Sequence, residues 1–294
     1  MKIAFIGFGE AARAFTDSLH KNSNAAIIAA FDQKTDGSIE AAAQARNVAI
    51  KSTAHEAIAG ADWIFSAVTA DQSLNAADAV KDALGMGQTF IDINSVSPDR
   101  KRDTALIVEQ SGADYLDMAV MAPVDPRGHQ TPVLLAGATA GDLADALNTL
   151  GFNYEIVGRE PGAATAIKMV RSLFVKGLEA LTVETMLAAS ASGCFDYVLS
   201  SLSSSYPGLG WPQNVNYMFE RTLRHGARRA AEMRESAATL DALGLTGALA
   251  DKIADVQAAM GAVSATELHT GPLPDAVADI LSLRLADIAS AAKN

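Results

Sequence analysis

Over its first 160 residues the chain alternates short apolar runs with amphipathic stretches. Ile3–Ile6, Ala26–Phe31, Val48–Ile50, Trp63–Val68, Phe90–Ile93, Tyr115–Val120, Pro132–Ala136 and Tyr154–Val157 read as buried strands. Between them Glu10–His20, Ile39–Arg46, Leu74–Leu84, Lys101–Gln110 and Leu143–Leu150 carry apolar residues at helical spacing. Such alternation implies right-handed crossovers and a parallel sheet with helices on both faces. After the Pro161-Gly162 breaker the strand-like runs stop and helical periodicity takes over. Phe195–Ser205 is expected as a short helix before the turn of Tyr206 to Pro212. Val215–Leu243 is expected as two charged helices and Pro274–Ala292 as the last helix. The predicted architecture is an α/β N-terminal Rossmann domain, a mostly parallel doubly wound sheet over residues 1–161, followed by an all-α C-terminal domain over residues 162–294.

Composition narrows the function classes. The 294 residues suit two domains, and 49% are apolar, enough for a sizeable core. A net charge of −11 repels a phosphate backbone, which argues against nucleic acid as a partner. The single cysteine, Cys194, cannot form an internal disulfide and is expected as a small core residue. No run of about 20 uncharged apolar residues exists, and the opening Met1–Ile6 run is too short for a signal peptide. A cytoplasmic protein without a membrane partner is therefore expected. The five histidines lack metal-ligand spacing, so no metal site is expected.

The candidate chemistry begins at Gly7-Phe8-Gly9-Glu10-Ala11-Ala12, a G-x-G-x-x-A fingerprint between the first strand and the first helix. Gly7 permits the tight turn, Gly9 lets a pyrophosphate approach the backbone, and Ala12 lets helix and strand pack closely. The free N–H groups at the helix start then face the anion. Asp32 closes the second strand, where its carboxylate would accept hydrogen bonds from the adenosine ribose. A carboxylate there repels a 2′-phosphate, so NAD is favoured over NADP, although Lys34 softens the preference. Val68 and Thr69 end the fourth strand run at the carboxyl edge and read either as walls beside the adenosine or as a plain strand end. Asn94 and Ser95 follow Phe90–Ile93 at the same edge. They offer neutral polar groups near the nicotinamide position, or simply lead into the helix start Ser97-Pro98.

With Asp92-Ile93-Asn94-Ser95, Pro98, Asp117-Met118-Ala119-Val120 and Gly162 to Lys168 added to the fingerprint, the chain resembles the β-hydroxyacid dehydrogenases, relatives of 6-phosphogluconate and 3-hydroxyisobutyrate dehydrogenase. The likeness covers about residues 1–185. The final third, with Arg224-His225-Gly226-Ala227-Arg228-Arg229, resembles a phosphogluconate-dehydrogenase-like subgroup with its own helical domain. The resemblance implies that Lys168 is the acid/base, taking the hydroxyl proton as hydride leaves for the nicotinamide. Arg171 lies three residues further on, where it would bind a substrate carboxylate or form a structural ion pair. Ser172 stands where the family usually has asparagine. The family's substrate loop aligns with Met121, Ala122 and Pro123. Proline has no N–H, so that loop's carboxylate-binding backbone is not copied intact, and Met121 hints at a bulkier or partly apolar substrate.

The resulting expectation is an NAD(P)-dependent oxidoreductase acting on a small molecule, a 3-hydroxy acid or related secondary alcohol. By resemblance it pairs as a homodimer through the helical domain. The alternatives are an imine (C=N) reductase on the same scaffold, against which the lysine counts, and a non-catalytic NAD(P)-binding sensor. The cationic cluster Arg224, His225, Arg228 and Arg229 receives an acid group or, as the commoner outcome, forms a salt-bridged helix face with Glu232 and Glu235. Arg127 and His129, in the loop after the substrate segment, are open in the same way.

Overall fold

A computed structural model describes residues 1–34 and 37–291. The chain divides into two compact units, Met1–Met169 and the remainder from Val170 onward.

The first unit is built on seven strands: β1 Lys2–Ile6, β2 Ala26–Phe31, β3 Trp63–Ser66, β4 Thr89–Asp92, β5 Asp114–Val120, β6 Val133–Ala136 and β7 Tyr154–Gly158. Their spatial order is β2-β1-β3-β4-β5-β6-β7. The helices between them are α1 Glu10–Asn22, α2 Ser38–Gln44, α3 Ala54–Ile58, α4 Ser73–Asp78, α5 Pro98–Glu109 and α6 Ala144–Leu150. Every strand pair is parallel except β5 with β6. That reversal follows from the connection: residues 121–132 hold a short 3-10 turn but no α-helix, and a parallel return needs a crossover.

Period-two alternation distributes each strand between two cores. Ile3, Phe5, Trp63, Phe65 and Ile91 face α1 and Phe152. Here Phe65 stacks on Phe152 at a centroid distance of 6.3 Å, and Phe15 meets Phe65 edge-on. Ala4, Ile6, Ile64, Phe90 and Tyr115 face the opposite way, toward α3, α4 and α5. Being covered on both faces, these strands read as continuous apolar runs.

The second unit begins within α7 Ala163–Ala191 and adds α8 Phe195–Ser205, α9 Gln213–Ala242, α10 Ala248–Gly261 and α11 Leu273–Ala291. One core gathers Val183, Met186, Phe195, Phe219, Leu223, Met260 and Val277; another gathers Ala180, Ala230, Met233, Ala250 and Ile253. Helices α9 and α10 touch backbone to backbone at Gly226 and Gly261. A Cβ on Gly226 would sit 2.3 Å from the Gln257 carbonyl oxygen.

Several expectations are corrected. Val48–Ile50 is not a strand; Ile50 makes one isolated bridge to Ala30. Val215–Leu243 falls in one helix, Gln213–Ala242, rather than two: Gly226 stays helical within it, and the left-handed Gly244 follows its end. The stretch Leu74–Leu84 is helical only to Asp78, and the five-residue α3 had no periodic signature to reveal it. Cys194 is exposed beside the start of α8, not in a core. The last residue of the expected final helix, Ala292, lies outside the described residues.

The 3-10 turn is fastened to α1 by His129. Its Nε2–H donates to the Leu150 carbonyl at 2.9 Å, and its Nδ1 accepts from the Ser18 hydroxyl at 2.6 Å. A carbonyl only accepts, which assigns the tautomer. Burial disfavours the imidazolium and lowers the His129 pKa. The unfolded chain therefore binds a proton here more readily than the folded one. The stability contributed by neutral His129 is complete above the ordinary value of about 6.5 and is lost as pH falls through the depressed value. Unfolding free energies from urea titrations at pH 8 and pH 5.5 should differ less for His129→Gln than for the parent chain; an equal difference excludes His129 as a source of acid sensitivity.

Candidate functional site

Strand order reverses between β1 and β3: the chain moves outward from β1 to β2, then crosses back to β3 and β4. Open α/β sheets bind ligands at the carboxyl edge beside such a switch point, and the fingerprint turn sits there. Gly7 has φ +85°, and a Cβ on it would lie 2.4 Å from the Ala67 carbonyl oxygen and 2.9 Å from a Val68 methyl. The turn thus needs glycine for both its conformation and its contact with the β3 end. Gly9 differs: a Cβ there meets no protein atom within 4 Å. Its bare backbone opens onto free space at the start of α1, whose first turn has no side-chain cap. Ala12 is fully buried beneath it. An uncapped helix start above an open glycine suits a pyrophosphate.

Asp32 lies at the end of β2. It accepts the Phe8 N–H at 2.7 Å through one oxygen and the Lys34 N–H at 2.9 Å through the other. Each oxygen keeps capacity for a ribose hydroxyl, but the Phe8 N–H is directed to Asp32 rather than to an anion. Sequence reasoning missed Arg13. Its Nε donates to the Phe8 carbonyl at 2.8 Å, which folds a guanidinium over the fingerprint turn. The signal available was a basic residue in the first turn of the fingerprint helix.

Further along the same edge, Asn94 is buried and both ends of its amide are engaged. Oδ1 accepts the Val68 N–H at 2.8 Å and Nδ2 donates to Ser66 Oγ at 2.8 Å. Its side chain thus braces the ends of β3 and β4. Thr69 precedes a 3-10 turn over Ala70–Gln72. Ser95, one residue beyond Asn94, is half-buried and receives the Lys168 ammonium, Nζ to Oγ 2.5 Å. From β2 through β1 and β3 to β4, Asp32, the Gly7–Ala12 turn, Val68 and the Ser95–Lys168 pair follow one another across three strand spacings, about 14 Å.

The Ser95–Lys168 pair rests on a buried ionic group. Lys101 of α5 is fully buried. Its Nζ donates to the Asp92 carbonyl at 2.6 Å and lies 3.1 Å from Asp92 Oδ1 and 3.2 Å from Asp117 Oδ1. Asp92 also accepts the Asn94 N–H at 2.9 Å and the Tyr115 hydroxyl at 2.9 Å. Asp117 Oδ2 accepts the N–H groups of Gly162 at 3.2 Å and Thr165 at 3.0 Å, at the start of α7. Thr165 Oγ1 in turn donates to the Val96 carbonyl at 2.8 Å. Burial raises the Asp117 pKa despite the facing ammonium, and burial next to Asp92 raises that of Tyr115.

Met121 is half-buried. It packs with Ala119, Ala136, Ala163 and Ala164 in a small apolar cluster. Ala122 is half-buried and Pro123 exposed. Two open surface depressions, one lined by Glu40, Gln44 and Val48 and the other by His20, Lys21 and Asp145, contain none of the site residues.

In the second unit Arg171 is exposed and, among the described residues, has no ion-pair partner. Ser172 is buried and accepts from Lys176 Nζ at 3.2 Å. Lys176 lies 2.7 Å from Glu232, and burial lowers its pKa. The cationic cluster resolves as ion pairs: Arg224 with Glu220 and Glu267, Arg228 with Glu232, and Arg229 with Glu179. Arg229 is buried rather than solvated, and burial lowers its pKa. Among the described residues, no group of three metal-ligating side chains is arranged to hold an ion.

Residues 2–95 match the family described as NADP oxidoreductase, coenzyme F420-dependent, and residues 189–260 match a domain of unknown function, DUF1932. A conserved hypothetical protein of Sinorhizobium meliloti is 34% identical, over 97% of this chain and 96% of that one, with a TM-score of 0.73. The fold is also that of a Mycobacterium tuberculosis 3-hydroxyisobutyrate dehydrogenase solved with L-serine: 20% identity, 96% and 99% coverage, TM-score 0.73. An imine reductase of Streptomyces aurantiacus shares it less closely, at 17% identity, 98% and 99% coverage and a TM-score of 0.56.

The two fingerprint glycines should separate under substitution. Gly7→Ala forces both a left-handed conformation and a backbone clash; the conformation alone costs about 1–3 kcal/mol, so the melting temperature should drop by about 5 °C or more. Gly9→Ala should melt within about 1 °C of the parent. Calorimetry of both variants decides, and a tolerated Gly7→Ala would contradict the turn geometry.

Proposed function

The chain belongs to the β-hydroxyacid dehydrogenase-like family, and from that premise we propose that it is an NAD(P)-dependent oxidoreductase of a 3-hydroxy acid or related secondary alcohol. The observation that carries this reading is the lysine ammonium held 2.5 Å from Ser95 Oγ, on the sheet edge that bears the fingerprint turn.

A bound nicotinamide dinucleotide would accept the hydride of the alcohol or return it. The Gly7–Ala12 turn would hold the pyrophosphate in the open space over Gly9, through the N–H groups at the start of α1 rather than those of Gly7 and Phe8, which are bonded to Phe31 and Asp32, with Arg13 adding a positive charge nearby. Asp32 takes the ribose at the far end, and Val68 and Thr69 line the path between. The Asp32 carboxylate disfavours a 2′-phosphate, which supports NAD over NADP.

At the other end, Lys168 moves the hydroxyl proton. An alcohol oxidised to a ketone loses hydride and proton together, and a neutral amine at hydrogen-bond distance takes the proton. In the reverse direction the ammonium donates it to the forming alkoxide. Ser95 accepts one N–H of Lys168 and so orients the amine. Arg171 and Ser172 are assigned to the substrate's acid group, and Met121 and Ala122 to its neighbourhood. The same proposal includes a homodimer through the helical unit. Val170, Phe174 and Leu181 recur on one face of α7 and are 51%, 72% and 66% exposed, a stripe suited to burial by a second copy.

The test uses a panel of 3-hydroxy acids, among them L-serine and 3-hydroxyisobutyrate, with aryl-substituted secondary alcohols and cyclic imines, read by absorbance of the reduced nicotinamide. Turnover of an alcohol with NAD exceeding that with NADP is expected. Lys168→Ala should lower kcat by about a hundredfold or more while the cofactor dissociation constant stays within about twofold. Turnover of imines alone, an unaltered kcat in Lys168→Ala, or cofactor binding without any turnover would each overturn the assignment. For the assembly, light scattering should give twice the chain mass, and Phe174→Glu should return it to the monomer; a monomeric parent chain rejects the pairing.

A further inference from the structure

We propose that Asp117 and Lys101 are positioning residues: with Asp92 they form a buried three-charge clamp that fixes Lys168 against Ser95. The inference rests on the proton-transfer role given above to Lys168, and it concerns how that lysine is aimed.

Two separate segments must meet to make the Ser95–Lys168 pair. One is the β4 exit, Ile93 to Ser95. The other is the first turn of α7, Gly162 to Lys168. Asp92 holds the first through the Asn94 N–H, and Asp117 holds the second through the N–H groups of Gly162 and Thr165. A carboxylate on those N–H groups also faces the positive end of a 29-residue helix. Lys168 is three residues past Thr165, so fixing that turn fixes the root of its side chain. The Lys101 ammonium joins the two halves. Its Nζ donates to the Asp92 carbonyl and lies at ion-pair distance, 3.1 and 3.2 Å, from one carboxylate oxygen of each aspartate. Asp92, Lys101 and Asp117 are each fully buried and none is directed at open space, which excludes them as groups that touch substrate.

Charge counting chooses the variant. Removing Lys101 leaves two carboxylates facing each other without solvent. Removing the Asp117 carboxylate leaves one ammonium beside one carboxylate, a balanced pair that the fold should tolerate. Asp117→Ala is therefore the main probe. Asp117→Leu, which removes the acceptor for Gly162 and Thr165 while filling the space, is the second should the first fail to fold.

The first readout needs no turnover. Reductive methylation with 13C-formaldehyde labels accessible lysines, and Lys168→Arg identifies the Lys168 methyl resonance. In the parent chain that resonance should stand apart from those of exposed lysines. In Asp117→Ala, and equally in Ser95→Ala, it should move to the exposed position. A Lys168 resonance unmoved in a folded Asp117 variant overturns the clamp.

The second readout is a double-mutant cycle. Asp117→Ala should lower kcat by about ten- to a hundredfold, with the NADH dissociation constant within about twofold. In a Ser95→Ala background it should cost less than about twofold, because the pair it serves is already gone. Multiplicative losses in the double variant would mean a merely structural residue. If the parent chain turns over no substrate, the oxidoreductase reading falls, while the resonance still decides whether Asp117 aims Lys168.

Discussion

One ammonium between two carboxylates, sealed from water, is the constraint on which the site depends. Taking three charges out of solvent is expensive, and the arrangement persists only because nearly every donor and acceptor has a partner. Removing the one cation of such a buried group, which leaves its carboxylates uncompensated, characteristically costs about 3–5 kcal/mol. A cluster that expensive to disturb holds its neighbours to one arrangement. Four elements converge on it: β4 through Asp92, β5 through Asp117, α5 through Lys101, and α7 through the N–H groups of Gly162 and Thr165. An apolar plug in the same place would glue these elements together but would leave the first turn of α7 free to slide. Hydrogen bonds with direction do not allow that.

The fold and the fingerprint were legible because their signals are local. Strands covered on both faces are continuous apolar runs, and a glycine turn between strand and helix occupies six consecutive residues. The clamp was not legible in that way. Asp92, Lys101 and Asp117 stand 9 and 16 residues apart, and each passes for an ordinary polar residue of its element. A signal did exist: an acid stands inside each of two apolar runs, Ile91-Asp92-Ile93 and Leu116-Asp117-Met118. A buried strand takes a carboxylate only when a cation or several N–H groups await it. The bracing role of Asn94 was hidden for a related reason. Its position at the carboxyl edge was readable, but the two partners that occupy its amide come from the end of β3, 26 and 28 residues away.

The helical unit repeats the lesson with different chemistry. The run Arg224-His225-Gly226-Ala227-Arg228-Arg229 looks like a cationic patch in sequence. In space Gly226 is the point where α9 and α10 meet backbone to backbone, and Arg229 reaches inward to Glu179. Their spacing of three residues puts the contact and the buried cation on the same side of α9. Gln257, one turn before Gly261 on α10, donates toward Glu179 from the other helix. The motif therefore encodes a helix crossing and the ion pair beneath it. It says little about a ligand, which is why the charge pattern alone pointed two ways.

The loop from Met121 to Pro132, assigned above to the substrate's neighbourhood, shows how a segment can vary without weakening the scaffold. Proline at position 123 removes a backbone N–H, yet the loop's anchoring lies elsewhere. At one end Met121 joins the alanines of β5, β6 and α7. At the other, Val124 enters the first core, and His129 ties the turn to α1 and to the Leu150 carbonyl. Between these anchors Pro123 is exposed and bears no part of the load. Sequence change at that point alters what the loop offers a substrate without loosening the loop. The same logic separates the two ends of the proposed reaction: the cradle over Gly9 depends on bare backbone and accepts little variation, whereas substrate choice depends on side chains that the anchors leave free to change.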